Sequence, residues 1–273
     1  MAPPAQRAGT AAQPFALRAQ HATAGPASRL VATTVPVATL DRATIDDAFA
    51  LFEGLYEGVE RARFERDLAE KQRIILLRDI ATHTLRGFST VLIQEEPEGT
   101  VIFSGDTVID RAYWGQKQLQ FAFAKVLLSI KLQSPRRALY WFLISKGYRT
   151  YLLLANSFPH AIPRRDRPDD PRLGSLLDTL AAGRYGAQYD RRTRIIRLTT
   201  AHDRVRDGAA PVTERHLQNP HVRFFVERNP EHQAGDELAC LAHVRLQDIL
   251  RGVTRVGLAQ FRAMLRLPPV PQR

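Results

Sequence analysis

Six consecutive apolar residues, Leu139-Tyr140-Trp141-Phe142-Leu143-Ile144, do most to limit what this chain can fold into. The run has the length and composition of a β-strand, and it suits a strand covered on both faces. Lys146-Gly147 ends it, and Pro135 stands before it. Upstream, the stretch from Gln116 to Leu132 places Leu119, Phe123, Val126, Leu127 and Ile130 on one side of a predicted helix. Downstream, Tyr148 to Phe158 reads as the next helix.

Nearer the N-terminus, Arg29 to Leu40 is rich in Val and Thr and reads as a strand. Thr44 and Asp47 have the spacing of a capping-box variant, which predicts a helix start there. Ile45, Phe49, Phe52, Tyr56 and Val59 then repeat at three- and four-residue steps, and a second short helix carries Phe64 and Leu68. From Arg73 the period changes. Ile74 to Leu77, Gly87 to Ile93 and Thr100 to Asp110 are apolar runs joined by short polar connections, the pattern of an antiparallel meander. Gly105 lies inside the third run, where glycine marks a bulge or a close backbone approach. Further on, residues 159–172 read as loop, Leu173 to Ala182 as a helix and Arg194 to Thr199 as a strand. Val222 to Glu227 and Glu237 to Val244 read as paired strands, and Leu246 to Leu267 as an arginine-rich final helix.

Hydrophobic residues form 44% of the 273, enough for a sizeable core, so wholesale disorder is excluded. Cys240 is the one cysteine, which excludes a disulfide framework and a cysteine zinc cluster. Its apolar neighbours from Leu238 to Ala242 make it a small buried hydrophobe, and a reducing cytoplasm is the simplest compartment. The eight histidines lack metal-ligand spacing: even His216 and His221 are separated by Asn219-Pro220. Residues 1–28, rich in Ala, Pro and Gln without acids, read as a disordered tail. No stretch approaches the ~18 uncharged apolar residues of a spanning helix.

The formal net charge is +11, which favours polyanionic partners: nucleic acid, acidic lipid, an acidic carrier protein or a phosphate-rich cofactor. The densest clusters, Arg164-Arg165 with Arg167 and Arg191-Arg192 with Arg194 and Arg197, are interrupted by acids or apolar residues. They read as solvated loop charge rather than a nucleic-acid stripe, and no aromatic platforms interleave with them.

Two segments carry a resemblance. Val101-Ile102-Phe103-Ser104-Gly105-Asp106-Thr107-Val108-Ile109-Asp110 is followed by Tyr113-Trp114-Gly115-Gln116-Lys117-Gln118-Leu119 opening a helix. Leu139 to Ile144 is followed by Ser145-Lys146-Gly147-Tyr148-Arg149-Thr150-Tyr151. With the order strand, two helices, three strands, helix, buried strand, helix, two strands, the chain resembles the Gcn5-related N-acetyltransferase (GNAT) superfamily over roughly residues 30–245. The resemblance implies an α/β fold, a mixed and mostly antiparallel central sheet flanked by helices. It divides the chain into a tail (1–28), an acyltransferase-like domain (29–245) and a C-terminal helix and tail (246–273).

It also implies a site. In that superfamily a bulge, here at Gly105, parts one strand from the next so that a pantetheine arm lies in the gap. The loop beyond presents backbone amides to the pyrophosphate at the start of a helix, which makes Arg111, Trp114, Gly115, Gln116 and Lys117 the cofactor contacts. The family pattern is Gln or Arg, two residues, Gly, one residue, then Gly or Ala. With its central glycine on Gly115, Ala112 and Lys117 fall at the outer positions and depart from it. The implied donor is acetyl-coenzyme A or a longer acyl-coenzyme A, or an acyl carrier protein thioester. The implied acceptor is a small-molecule amine or a peptide. Asp106 is the implied base, Tyr148 and Tyr151 the implied acids, and no metal takes part. The rival readings are a GNAT-like domain that binds without catalysis and, on charge alone, a nucleic-acid-binding protein.

Overall fold

Where the apolar period shortens at Arg73, the chain does form strands. The computed structural model describes residues 28–197, 204–205 and 212–264. In chain order they are β1 (Leu30–Pro36), α1 (Arg42–Leu55), β2 (Tyr56–Glu57), α2 (Arg61–Ala69), β3 (Arg73–Asp79), β4 (Leu85–Glu96) and β5 (Gly99–Ile109). Then come α3 (Gln118–Gln133), β6 (Leu139–Ser145), α4 (Tyr148–Ser157), β7 (Ala161–Ile162), α5 (Pro171–Tyr185), β8 (Tyr189–Asp190) and β9 (Ile195–Ile196). The last are β10 (Arg204–Val205), α6 (Glu214–Leu217), α7 (Pro220–Arg228), β11 (Glu237–His243) and α8 (Leu246–Met264).

The central sheet runs β1-β3-β4-β5-β6-β11-β9-β8, with β7 also on β11, and β2 pairs separately with β10. Every junction in it is antiparallel except β5–β6. The fold is therefore mixed, mostly antiparallel and flanked by helices, as the resemblance implies. The meander β3-β4-β5 and the doubly covered β6 are where the residue pattern puts them. Trp141 and Leu143 of β6 pack in the cluster with Phe123 and Leu127 of α3 and Leu154 of α4. Phe142 packs the other way, with Phe103, Leu241 and Leu177 of α5. A third cluster joins Phe52 of α1 and Phe64 of α2 to Phe88 of β4. Full burial of each such side chain contributes about 1.5–3 kcal/mol, so covering both faces of the sheet supplies most of the driving force.

Three readings are corrected. Val222 to Glu227 is not a strand but part of α7: Asn219 caps it by accepting from His221 N (2.9 Å), Pro220 starts it, and Val222 and Phe225 form its buried face. Glu237 to His243 pairs instead with β6. The first helix is capped by Asp41, which accepts from Thr44 N (2.8 Å), so Thr44 lies inside it. In the expected loop 159–172, Ala161 and Ile162 form β7. The tail before Ser28, residues 198–199 of the expected strand and 265–267 of the final helix lie outside the described residues. Among the described residues no helix is long and apolar enough to cross a membrane.

Asp79 fixes the end of the sheet from which α3 departs. Its carboxylate accepts from the Tyr113 hydroxyl (2.6 Å), the Ser28 hydroxyl and the amides of Ala81 (2.8 Å) and Thr82 (3.0 Å). The two hydroxyls, then the Thr82 amide, hold its pKa well below the usual carboxylate range. Such a lowered pKa adds stability above the unfolded value of 3.8, and that gain is lost as pH falls through the folded value. Asp79→Asn should lower the melting temperature at pH 7, with the gap to the native protein shrinking as pH drops below 3.8; thermal melts across pH check this.

Candidate active site

Two neighbouring strands separate partway along their length. The parallel ladder between β5 and β6 covers Thr100↔Leu139 to Phe103↔Phe142 and stops there, although β5 continues to Ile109 and β6 to Ser145. On the opposite edge of β5 the register with β4 slips: Ser89 faces Thr107 but Val91 faces Ser104. Thr90 therefore stands against both Gly105 and Asp106, a bulge that bends β5 away from its partner. Only glycine fits the first bulge position, because a Cβ there would overlap the Thr90 hydroxyl and come within 3.0 Å of Lys71 Cε. Just beyond the last backbone pair, the Trp141 indole donates to Ser104 Oγ (3.1 Å), a side-chain tie across the parting strands.

A cavity opens on each side of the gap. One, of about 680 Å³, lies under α1, α2 and the end of α5; the other, of about 170 Å³, lies among α3, α4 and α8. Both are lined by Ser104, Thr107 and Thr150, so they meet at the gap itself. The smaller is mainly apolar, walled by residues such as Leu119, Phe123, Trp141, Leu153, Phe158 and Ile249. The larger is charged and aromatic. Lys146 Nζ pairs with Glu237 Oε1 (3.2 Å) and lies over the Tyr56 ring (5.6 Å). Asp67 takes the fully buried Lys71 Nζ at 2.7 Å and Arg184 Nη2 at 3.5 Å, and Arg184 covers the Phe103 ring at 4.4 Å.

The structure divides the residues named from sequence. Asp106 lines the larger cavity beside the bulge. Tyr148 and Tyr151 do not join it. α4 turns their face toward α7, where Tyr151 is fully buried, donates to Pro163 O (3.2 Å) and packs on Phe224 and Phe225. Tyr148 is buried too, its hydroxyl 3.3 Å from His216 Nε2. Burial pushes the Tyr151 phenol upward, and the residue lines neither cavity.

The loop after β5 also uses its residues differently. The Gln116 side chain accepts from Leu30 N (2.9 Å) and donates to Ser28 O (3.0 Å), which commits it to the start of β1 rather than to a cofactor. Gly115 has φ +91°, a conformation that favours glycine, and Lys117 stands at the N-cap of α3. Trp114 is 48% exposed; its indole donates to Ile109 O (2.9 Å), and Arg111 and Arg149 lie over its ring at 5.7 and 5.4 Å.

Sequence reasoning missed Tyr185, Arg184, Glu237 and Lys146, all on the wall of the larger cavity. Burial, then the Glu237 carboxylate, raise the Tyr185 pKa, with a smaller contribution from Asp106, so the hydroxyl stays protonated at neutral pH. One cue was available: Glu237 opens an otherwise apolar strand, and a carboxylate there needs a cation. Tyr185 at the end of an amphipathic helix offers none. Cys240 is fully buried, and its thiol is pushed up by that burial. Among the described residues no group of three or more His, Cys, Asp or Glu could hold a metal ion.

No protein-family model matches this chain, and no curated protein matches it. Solved structures overlap parts of it. A conserved protein of unknown function from Enterococcus faecalis V583, described as a probable N-acyltransferase, is 14% identical over 47% of this chain and 32% of its own, with a TM-score of 0.37. An acyl-CoA N-acyltransferase from Pseudomonas aeruginosa is 15% identical over 42% of this chain and 79% of its own, with a TM-score of 0.33. A GNAT family N-acetyltransferase from Escherichia coli in complex with CoA is 17% identical over 45% and 66%, with a TM-score of 0.32. The chain thus spans about a third of the Enterococcus protein. The sheet order, the parallel β5–β6 junction and the bulge beside it are read from this chain's own strands.

The bulge contact is testable as a pair. Among the described residues the buried Thr90 hydroxyl has no hydrogen-bond partner, so Thr90→Ala should cost little. Gly105→Ala should destabilise by about 1–3 kcal/mol through overpacking. Thr90→Ala added to Gly105→Ala should recover part of that loss, read as a double-mutant cycle in urea unfolding.

Proposed function

We propose that this protein is an N-acyltransferase that moves an acyl group from a pantetheine thioester to an amine. The observation that carries the reading is the gap between β5 and β6 with a cavity on each side, joined at Ser104, Thr107 and Thr150. The apolar side suits the thioester's arm, acetyl- or longer acyl-coenzyme A or a carrier-borne equivalent. The charged, aromatic side suits the acceptor, a small-molecule amine or a peptide amine.

The amine nitrogen attacks the thioester carbonyl, forming a C–N bond and breaking C–S. A backbone amide of β5 beyond the end of the β5–β6 ladder binds the oxyanion in this reading. Asp106 takes the proton released by the amine, directly or through water. Tyr185, kept protonated and lining the same cavity, replaces Tyr148 and Tyr151 as the hydroxyl that returns a proton to the departing thiolate. Lys146 and Arg184 are held by Glu237 and Asp67, which leaves the cavity with charges of both signs for orienting an acceptor.

Thiol release from acetyl- and octanoyl-coenzyme A across a panel of primary amines tests the reading. Release should depend on the amine, and Asp106→Asn should lower kcat by about 10²-fold or more while the donor KM stays nearly constant. Absence of amine-dependent release would sink the proposal. Undiminished turnover in Asp106→Asn would remove Asp106 from it.

A further inference from the structure

We infer that the outer edge of β1 docks an extended acidic segment of a partner protein, which joins the central sheet as a further strand. The inference is independent of the acyl-transfer proposal. β1 is the end strand of the sheet. Ile80 N donates to Arg29 O (2.9 Å) and Val37 N to Gln72 O (3.1 Å), and the register between these two bonds is unbroken. Such bonds recur at every second residue of an antiparallel pair. Val31, Thr33 and Val35 therefore turn their backbone groups toward β3, while Leu30, Ala32 and Thr34 turn theirs outward. The two ends of this edge are occupied: Leu30 N donates to Gln116 Oε1 (2.9 Å), and Pro36 O accepts from the Thr39 hydroxyl (2.8 Å). Between them the amides of Ala32 and Thr34 have no hydrogen-bond partner among the described residues. Alternating outward donors and acceptors are what an added strand pairs with.

A groove of about 630 Å³ lies between this edge and α3. Its lining includes Arg29, Arg73 and Lys125 and no acid. Arg29 and Lys125 are exposed, and Arg73 Nη1 meets Ser129 Oγ (3.4 Å) rather than a carboxylate. On the same lining, the Gln118 side-chain oxygen is buried without a hydrogen-bond partner among the described residues, an acceptor that a peptide N–H would satisfy. These features choose between occupants. Nucleic-acid phosphates would meet the cations but leave the strand edge unpaired. A second copy pairing β1 with β1 would bring two sets of cations together, which like charges oppose. Residues 1–27 and 265–273 contain no Asp or Glu, so the chain's own ends bring no complementary charge. An extended peptide with acidic side chains satisfies both the edge and the cations.

The test uses the full-length protein and a labelled seven-residue peptide of alternating Glu and Val. It should bind at least about tenfold more tightly than the same peptide with Lys for Glu. Arg29→Glu with Lys125→Glu should weaken it about tenfold or more, and Arg172→Glu on exposed α5 should leave it within about threefold. Thr34→Pro removes one outward amide, a change that edge strands tolerate, and should weaken binding with the melting temperature nearly kept. In hydrogen exchange the Ala32 and Thr34 amides should exchange fast in the free protein and slow down with the acidic peptide. No saturable binding of that peptide, equal binding of the Lys form, or tighter binding of an oligothymidylate overturns the inference. So does protection of both amides without peptide, whether present at high dilution (the chain's own segment) or rising with protein concentration (a second copy).

Discussion

A parallel pair of central strands gains a hydrogen bond for nearly every residue it aligns, so ending such a ladder early in the middle of a sheet needs a cause. In this molecule the cause sits on the far edge of β5. The Gly105–Asp106 bulge puts two residues against Thr90, bends β5, and takes its upper half away from β6 after Phe103. Aromatic packing holds the two strands where the ladder ends. Trp141 fills one side between Phe123 (4.7 Å) and Phe158 (5.4 Å) and donates to Ser104; Phe103 and Phe142 (5.2 Å) fill the other beneath Arg184.

Charge is distributed unevenly about this gap. In the larger cavity acids and bases are paired, and the pairs differ in weight. Lys71 is wholly buried, so loss of Asp67 would leave its ammonium with only Glu70 Oε2 at 3.9 Å, a costly defect for a buried charge. The Arg184 contacts to Asp67 and Glu70, at 3.5 and 3.8 Å and partly exposed, are worth about 0–1 kcal/mol. Arg184 can therefore change partners at small cost, whereas Lys71 holds α2 against the bulge. On the surface the exposed cations Arg111 and Arg149 lie over the Trp114 ring.

Elements whose burial dictates their composition were legible in the sequence. The unbroken Leu139–Ile144 run, the three runs after Arg73 and the one-sided Leu119–Ile130 stripe each state a period that packing then enforces. Gly105 was legible for the same reason, since an interior strand glycine has few uses. The misread Val222–Glu227 segment shows the limit: six residues with two apolar pairs fit either period, and the Asn219-Pro220 start decides it. The site was harder. Asp106 is next to the bulge in sequence, but Tyr185, Glu237 and Lys146 reach the cavity only through strand order. Tyr148 and Tyr151 sit three apart on α4, a spacing that places them on one face without saying whether that face meets the gap or the α7 layer.

The last helix shows how far the fold extends along the chain. α8 packs against α3 and α4, with Ile249 3% exposed in the main cluster and Asp248 1% exposed and held by Arg245 Nε (3.1 Å). Without α8, Leu127, Phe123 and Phe158 would line an open groove, and the smaller cavity would lose the wall formed by Ile249, Gly252 and Val253. An apolar groove that wide would not hold a thin arm in one place, because apolar contact constrains position only where it closes on several sides. By closing the third side, α8 turns a groove between two helices into a channel that ends at Ser104 and Thr150. The structural unit that holds the gap therefore runs past His243, and the helix beyond β11 shapes the smaller cavity as much as the bulge shapes the larger one.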